Sequence, residues 1–189
     1  MTEIYFIRHA ESNTKNRNDV LRELTPKGLR DRELVTGFLV DKNIDAVLSS
    51  PYVRAVDTVK HFADSVGYTV ETIDGFSERK VGSGWIKDYT TYCKRQWEDF
   101  SYKLPEGESL GEVQDRNIRT LNTVLDRFKN KRIVIGIHGT ALSTIINYYD
   151  RSYGFEDFMK IISLMPWIIR LRFDEGKIQD IEAYDVFLR

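Results

Sequence analysis

Short runs of β-branched and aromatic residues alternate with segments of helical periodicity along the chain, and that alternation predicts a layered α/β fold with a mainly parallel sheet. The first run, EIYFIR, carries Ile4, Tyr5, Phe6 and Ile7 without a polar break, as a short buried strand does, and ends at Arg8. After a polar stretch, LTPKGLRDRELVTGFLVDKN offers Thr25 as N-cap and Pro26 at the first helical position, with Asn43 terminating the helix before the strand DAVLS. In SPYVRAVDTVKHFADSVG, residues Val53, Val56, Val59, Phe62, Ala63 and Val66 repeat at helical spacing up to Gly67. YTVETID is a third strand candidate. SLGE, Ser109 to Glu112, is a capping box opening a helix whose stripe includes Leu121, Val124, Leu125 and Phe128. RIVIGIHG supplies a fourth strand, helices follow over about 140–149 and 155–163, and PWIIRLRFDEGKIQDIEAYDV reads as a hairpin turning at Asp174 to Gly176.

The length of 189 residues fits one folding unit, so 1–189 is expected to be a single domain. Acidic and basic residues nearly cancel at a net charge of -1, which argues against nucleic acid or an anionic membrane as partner. No apolar run approaches the ~18 residues of a membrane span, and the start lacks the basic and apolar regions of a secretory leader. Cys93 is the single cysteine, so no internal disulfide forms and a reducing, cytoplasmic setting is expected. The three histidines fall in no metal-binding pattern, and no metal site is expected.

Ligands of open α/β sheets bind beyond the carboxyl ends of the strands, which directs attention to the polar residues there. Arg8-His9 follows the first strand, Ser50-Pro51 and Arg54 the second, Glu78 the third and His138-Gly139 the fourth. Two arginines, a histidine at a strand end and another at a helix amino terminus suit an anion of phosphate size. Glu78 is the odd member, because a carboxyl beside an anion pocket suits proton transfer to a leaving oxygen better than binding.

These residues stand in blocks that resemble the histidine phosphatase superfamily, the branch with cofactor-dependent phosphoglycerate mutases and fructose-2,6-bisphosphatases. RHAES at Arg8 to Ser12 resembles the signature Arg-His-Gly, with Ala10 in place of glycine. SSPYVRAVDT at Ser49 to Thr58 resembles Ser-Pro-x-x-Arg-Ala-x-x-Thr, and LTPKG, FSERKVG, PEGESLGEVQDR with Arg116, and GIHGT follow in family order. The resemblance implies a three-layer α/β/α sandwich with a mainly parallel central sheet of about six strands, of the phosphoglycerate mutase type. It implies His9 as the nucleophile that forms a phosphohistidine, Arg8, Arg54, His138 and Gly139 as phosphate-binding groups, and Glu78 as the general acid, with neither metal nor other cofactor. Family members often carry Asn where this chain has Lys15, so the flanking Asn13 and Asn16 are candidate phosphate ligands in its place.

Hydrolysis of a small phosphorylated metabolite is the activity expected. The alternatives are a mutase, which returns the phosphoryl group to a second hydroxyl and is suggested by the Glu78-Arg79 pair, and a catalytically silent phospholigand-binding module. The segment over about 83–108, rich in aromatic and basic residues, is expected to be a helical lid-like insertion rather than a core element; the alternative is that its aromatics pack against the domain or against a partner subunit in a homodimer. Cys93 and the mid-helix His61 are expected to be structural or incidental.

Overall fold

Parallel strands fed by helices are covered on both faces, so their residues point alternately into two separate apolar layers. The computed structural model describes residues 1–82 and 86–188. It contains β1 (Thr2–Arg8), α1 (Pro26–Leu39), β2 (Ala46–Ser49), α2 (Val53–Ser65), β3 (Val70–Thr72), α3 (Tyr89–Glu98), α4 (Leu110–Arg127), β4 (Arg132–Ile137), α5 (Gly139–Tyr149), α6 (Phe155–Ile161), β5 (Trp167–Asp174) and β6 (Lys177–Tyr184). The strand order is β3-β2-β4-β1-β5-β6. The first four run parallel, while β5 and β6 are antiparallel additions.

Ile4 and Phe6 of β1 face one core with Ile133 and Ile135 of β4, the apolar stripe of α4 and much of α5. Tyr5 and Ile7 face the other with Val134, Val35 and Leu39 of α1, and Val59 and Phe62 of α2. The expected three-layer α/β/α arrangement follows from this alternation. Thr25 caps α1 by accepting the Gly28 amide at 3.0 Å, and Ser109 and Glu112 close a reciprocal capping box on α4. Gly28 is required for space, since a Cβ there would lie 2.1 Å from the Glu11 carbonyl oxygen.

Three expectations are adjusted. The third strand spans only Val70–Thr72, because Asp74–Phe76 tightens into a 3₁₀ turn whose neighbouring carbonyls bond to Arg116. The hairpin reversal is the pair Glu175-Gly176, both at positive φ (48° and 78°), as the twist of flanking strands favours. The aromatic segment, expected as an insertion outside the core, packs its described aromatic residues against the domain, the alternative also expected for it. Tyr92 and Cys93 of α3 are buried in the larger cluster, and Trp97 packs on Tyr153 and Phe158 at ring separations of 6.0 and 5.8 Å. Alternating aromatic and charged residues on a single helix give one face to the core and the other to water, which its high charge obscured. Trp85, counted with that segment, lies outside the described residues. His61 links α2 to α1 through Thr36, at 2.8 Å. Among the described residues no helix is long and apolar enough to cross a membrane.

Candidate active site

The register of the sheet brings the two reactive histidines together. Arg8 at the end of β1 pairs with Ile137 at the end of β4, so His9 and His138 emerge side by side, their rings edge to face at 5.4 Å. Ser49 of β2 pairs with Gly136, which sets Ser50 next to His138, and their side chains bond at 2.7 Å. Arg54, on the first turn of α2, directs its Nε to within 3.2 Å of His9 Nε2. Glu78 reaches the same edge from the loop after β3.

His9 is 8% exposed, and its Nδ1 lies 2.8 Å from the Ala10 carbonyl. A carbonyl only accepts, so Nδ1 carries the hydrogen and Nε2 keeps its lone pair, aimed toward Arg54. Burial, then the charges of Arg54 and Arg8, hold the His9 pKa well below 6.5. Burial and the same cations, with His9, do likewise for His138. The Ala10 amide donates to Thr58 Oγ1 at 2.9 Å, and that hydroxyl donates to the Arg54 carbonyl at 2.7 Å. Thr58 thus ties the histidine-bearing loop to the helix that carries Arg54, a role the motif match alone did not indicate.

Arg8 is oriented differently from a free phosphate claw. Its guanidinium donates to the carbonyls of Ile161, Ile162 (3.0 Å) and Leu164 (3.2 Å) at the end of α6, while its Nε is buried without a protein partner. Burial pushes its pKa down to about 10. Gly139 makes room for it, as a Cβ there would lie 3.0 Å from Arg8 Nε.

Glu78 caps α5. Its carboxylate accepts the Thr140 and Ala141 amides at 3.1 and 3.0 Å and the Arg79 amide at 2.8 Å. Helix amino termini favour anions, so this position serves a carboxylate or a phosphoryl oxygen. The loop bearing Glu78 is fixed by Arg116. It pairs twice with Glu108, at 3.1 Å each, and donates to the Gly75 and Ser77 carbonyls at 2.9 and 3.0 Å. Arg116 and Glu108 belong to the PEGESLGEVQDR block, and the ion pair gives that block a structural reason.

Asn13 and Asn16 are not brought into the anion cluster by any hydrogen bond among these contacts. Their side-chain amides clamp the carboxylate of Glu23, at 2.6 and 2.7 Å, and hold its pKa down at about 2. Arg79 is likewise committed elsewhere: it is 4% exposed and donates to Gln96 and to the Tyr89 hydroxyl of α3. Sequence reasoning missed Asp19. Its carbonyl accepts from Arg54, and its carboxylate lies 3.2 Å from Arg54 Nη2 and 3.3 Å from Arg22 Nη1. An Asp-x-x-Arg pair in a polar loop carries no sequence signal strong enough to find it. Open cavities of ≈ 600 Å³ beside Phe38 and Tyr184 and ≈ 320 Å³ along α4 lie away from these residues. Neither holds a histidine, so the donor set rather than the size of a hollow marks the site.

A family model described as histidine phosphatase superfamily (branch 1) matches residues 4–184. A probable phosphoglycerate mutase GpmB of Yersinia pestis (strain Pestoides F) is 27% identical over 159 residues, covering 78% of this chain and 74% of that protein. A phosphoserine phosphatase from Entamoeba histolytica, solved in complex with 3-phosphoglyceric acid, superposes with a TM-score of 0.78 at 23% identity over 100% of both chains. A mycobacterial glucosyl-3-phosphoglycerate phosphatase gives 0.75 at 16% identity, over 97% of this chain and 96% of that one.

Proposed function

Since the chain belongs to the histidine phosphatase superfamily (branch 1), we propose that it hydrolyses phosphomonoesters of small metabolites through a phosphohistidine on His9. The observation that carries this reading is the state of His9: neutral, hydrogen-bonded through Nδ1, with a lone pair on Nε2 next to a guanidinium. In the first step Nε2 attacks phosphorus, the ester P–O bond breaks, and the proton brought in by the substrate's phosphoryl monoanion passes through Glu78 to the leaving oxygen. In the second, Glu78 takes a proton from water, the water oxygen bonds to phosphorus, and the P–N bond breaks to release inorganic phosphate. Arg54 offsets the charge of the transferring group and the neutral His138 binds it by hydrogen bonding, while Arg8 places its unpaired Nε–H beside Gly139. Within one domain, the described residues 86–108 of the aromatic segment are read as a lid, a reading supported by the Tyr89 hydroxyl, which accepts from Arg79, the neighbour of Glu78.

The mutase alternative draws on the name of the Yersinia relative and on Arg79, which is buried against α3 with Nη1 on Gln96 and Nη2 on the Tyr89 hydroxyl. The silent-module alternative conflicts with the presence of both the nucleophile and the acid.

Turnover of p-nitrophenyl phosphate, phosphoserine and 3-phosphoglycerate, measured in chelator, tests the proposal. Wild type is expected to release inorganic phosphate and His9→Ala to release none above background while unfolding at a similar temperature. Equal release by both proteins would sink the assignment, and conversion of 3-phosphoglycerate without phosphate release would make the protein a mutase.

A further inference from the structure

Ser50 and His138 are both fully buried, and Ser50 Oγ lies 2.7 Å from His138 Nε2. Either atom of such a pair can supply the hydrogen, so the other bonds of the serine decide the direction. A hydroxyl has one hydrogen to give and two lone pairs to receive with. The Tyr52 amide donates to Ser50 Oγ at 3.3 Å and so takes up a lone pair, not the hydrogen. Among the described residues the Ser50 hydroxyl has no other acceptor within reach than His138 Nε2. Leaving a buried O–H unpaired is costly, so its hydrogen goes to that nitrogen. The serine is also held in place, because its own amide donates to the Gly136 carbonyl at 2.8 Å, one residue beyond the pairing of β2 with β4.

An Nε2 that accepts carries no hydrogen, and a neutral imidazole has one, which must then sit on Nδ1. Burial, then the charge of Arg54, keeps the His138 ring neutral. Its Nδ1 is buried without any protein partner, on a ring that stands edge to face with His9 at 5.4 Å and with Tyr52 at 4.9 Å. A buried donor with nothing to bond to, next to the reacting histidine, is a donor kept for an oxygen that the protein does not itself supply.

We propose that Ser50 is a positioning residue: by donating to Nε2 it fixes His138 as the Nδ1–H tautomer, and that N–H donates to an oxygen of the phosphoryl group bound beside His9. The opposite tautomer would turn a lone pair toward the same oxygen and repel it. Ser50 thus acts on the phosphoryl group through His138 without touching it. The inference rests on the phosphoryl-binding part of the proposed function but not on hydrolysis.

The test is NMR of protein carrying isotope-labelled histidine, in which the ring nitrogens report which of them holds the hydrogen. The chain has three histidines, and His138→Gln identifies the signals of that ring by their loss. Wild type is expected to hold the hydrogen on His138 Nδ1, and added inorganic phosphate to shift that nitrogen. Ser50→Ala is expected to mix the two tautomers and, in calorimetric titration, to weaken inorganic phosphate roughly threefold to tenfold, as loss of one neutral hydrogen bond does. Ser50→Thr, which keeps the hydroxyl, is expected to restore the tautomer and much of the affinity. A hydrogen on Nε2 in wild type would overturn the proposal, as would an unchanged tautomer or unchanged phosphate affinity in Ser50→Ala. The wild-type spectrum decides the tautomer even where Ser50→Ala fails to fold. Absence of phosphate release by wild type would end the hydrolase reading, while the spectrum and the phosphate titration still decide Ser50.

Discussion

Which nitrogen of His9 holds the hydrogen decides which one keeps a lone pair, and the Ala10 carbonyl, accepting from Nδ1, leaves it on Nε2, where the proposed attack needs it. Keeping His9 and His138 neutral has a measurable cost at low pH. Burial, reinforced by the neighbouring arginines, places both folded-state pKa values well below the 6.5 of the unfolded chain. Between those limits the unfolded chain binds more protons, so stability rises with pH and is lost as pH falls below 6.5. Each ring adds a slope of about 1.4 kcal/mol per pH unit in that window. Urea unfolding followed from pH 7 to pH 5 should show this slope, and His138→Gln should remove one ring's share of it. A variant slope equal to wild type would contradict the neutral buried state.

Among the elements, the stretch 73–82 after β3, which carries Glu78, is the one whose position the proposed chemistry depends on most, and beyond the 3₁₀ turn at Asp74–Phe76 it has no regular structure to hold it. Arg116 on α4 does so through Glu108 and two carbonyls. Replacing it by Met should cost about 1–3 kcal/mol in urea unfolding, toward the low end because the ion pair is partly exposed. It should also lower kcat on an alkyl phosphate more than on p-nitrophenyl phosphate, whose leaving oxygen needs less help from Glu78. Equal loss on both would point to a general loosening instead.

The strands and their chemical ends were legible because apolar runs stop at Arg8, Ser49 and Ile137, and the residues that follow each stop are the ones the register gathers. Arg54 was legible from the same motif. The loop over residues 11–24 was not. Its conformation comes from Asn and Glu side chains bonding one another and from a backbone contact to α2, which leave no period to read. Hence the bonds of Asn13 and Asn16 to Glu23 and the pairing of Asp19 with Arg54 and Arg22 went unseen. The partners of Arg79 were hidden for a related reason, since Gln96 and Tyr89 lie on a helix whose packing the charge pattern obscured.

For the molecule as a whole, an anion that binds only the folded chain adds stability by mass action. Inorganic phosphate at a hundredfold excess over its Kd should contribute about 2.7 kcal/mol, raising Tm by roughly 5–10 °C for a chain of this size. Arg54→Met should lose most of that rise, and an equal rise in both proteins would place the anion elsewhere. The sheet also imposes an order on how such a site comes into being. β1, which leads to the nucleophile, is bordered by β4 and β5, both in the last third of the chain. During synthesis the strand made first therefore stands without a sheet neighbour until residue 132 has left the ribosome. The site is encoded early and assembled late, so a nascent chain carries His9, Arg54 and Glu78 for most of its length before β4 arrives with His138 to bring them together.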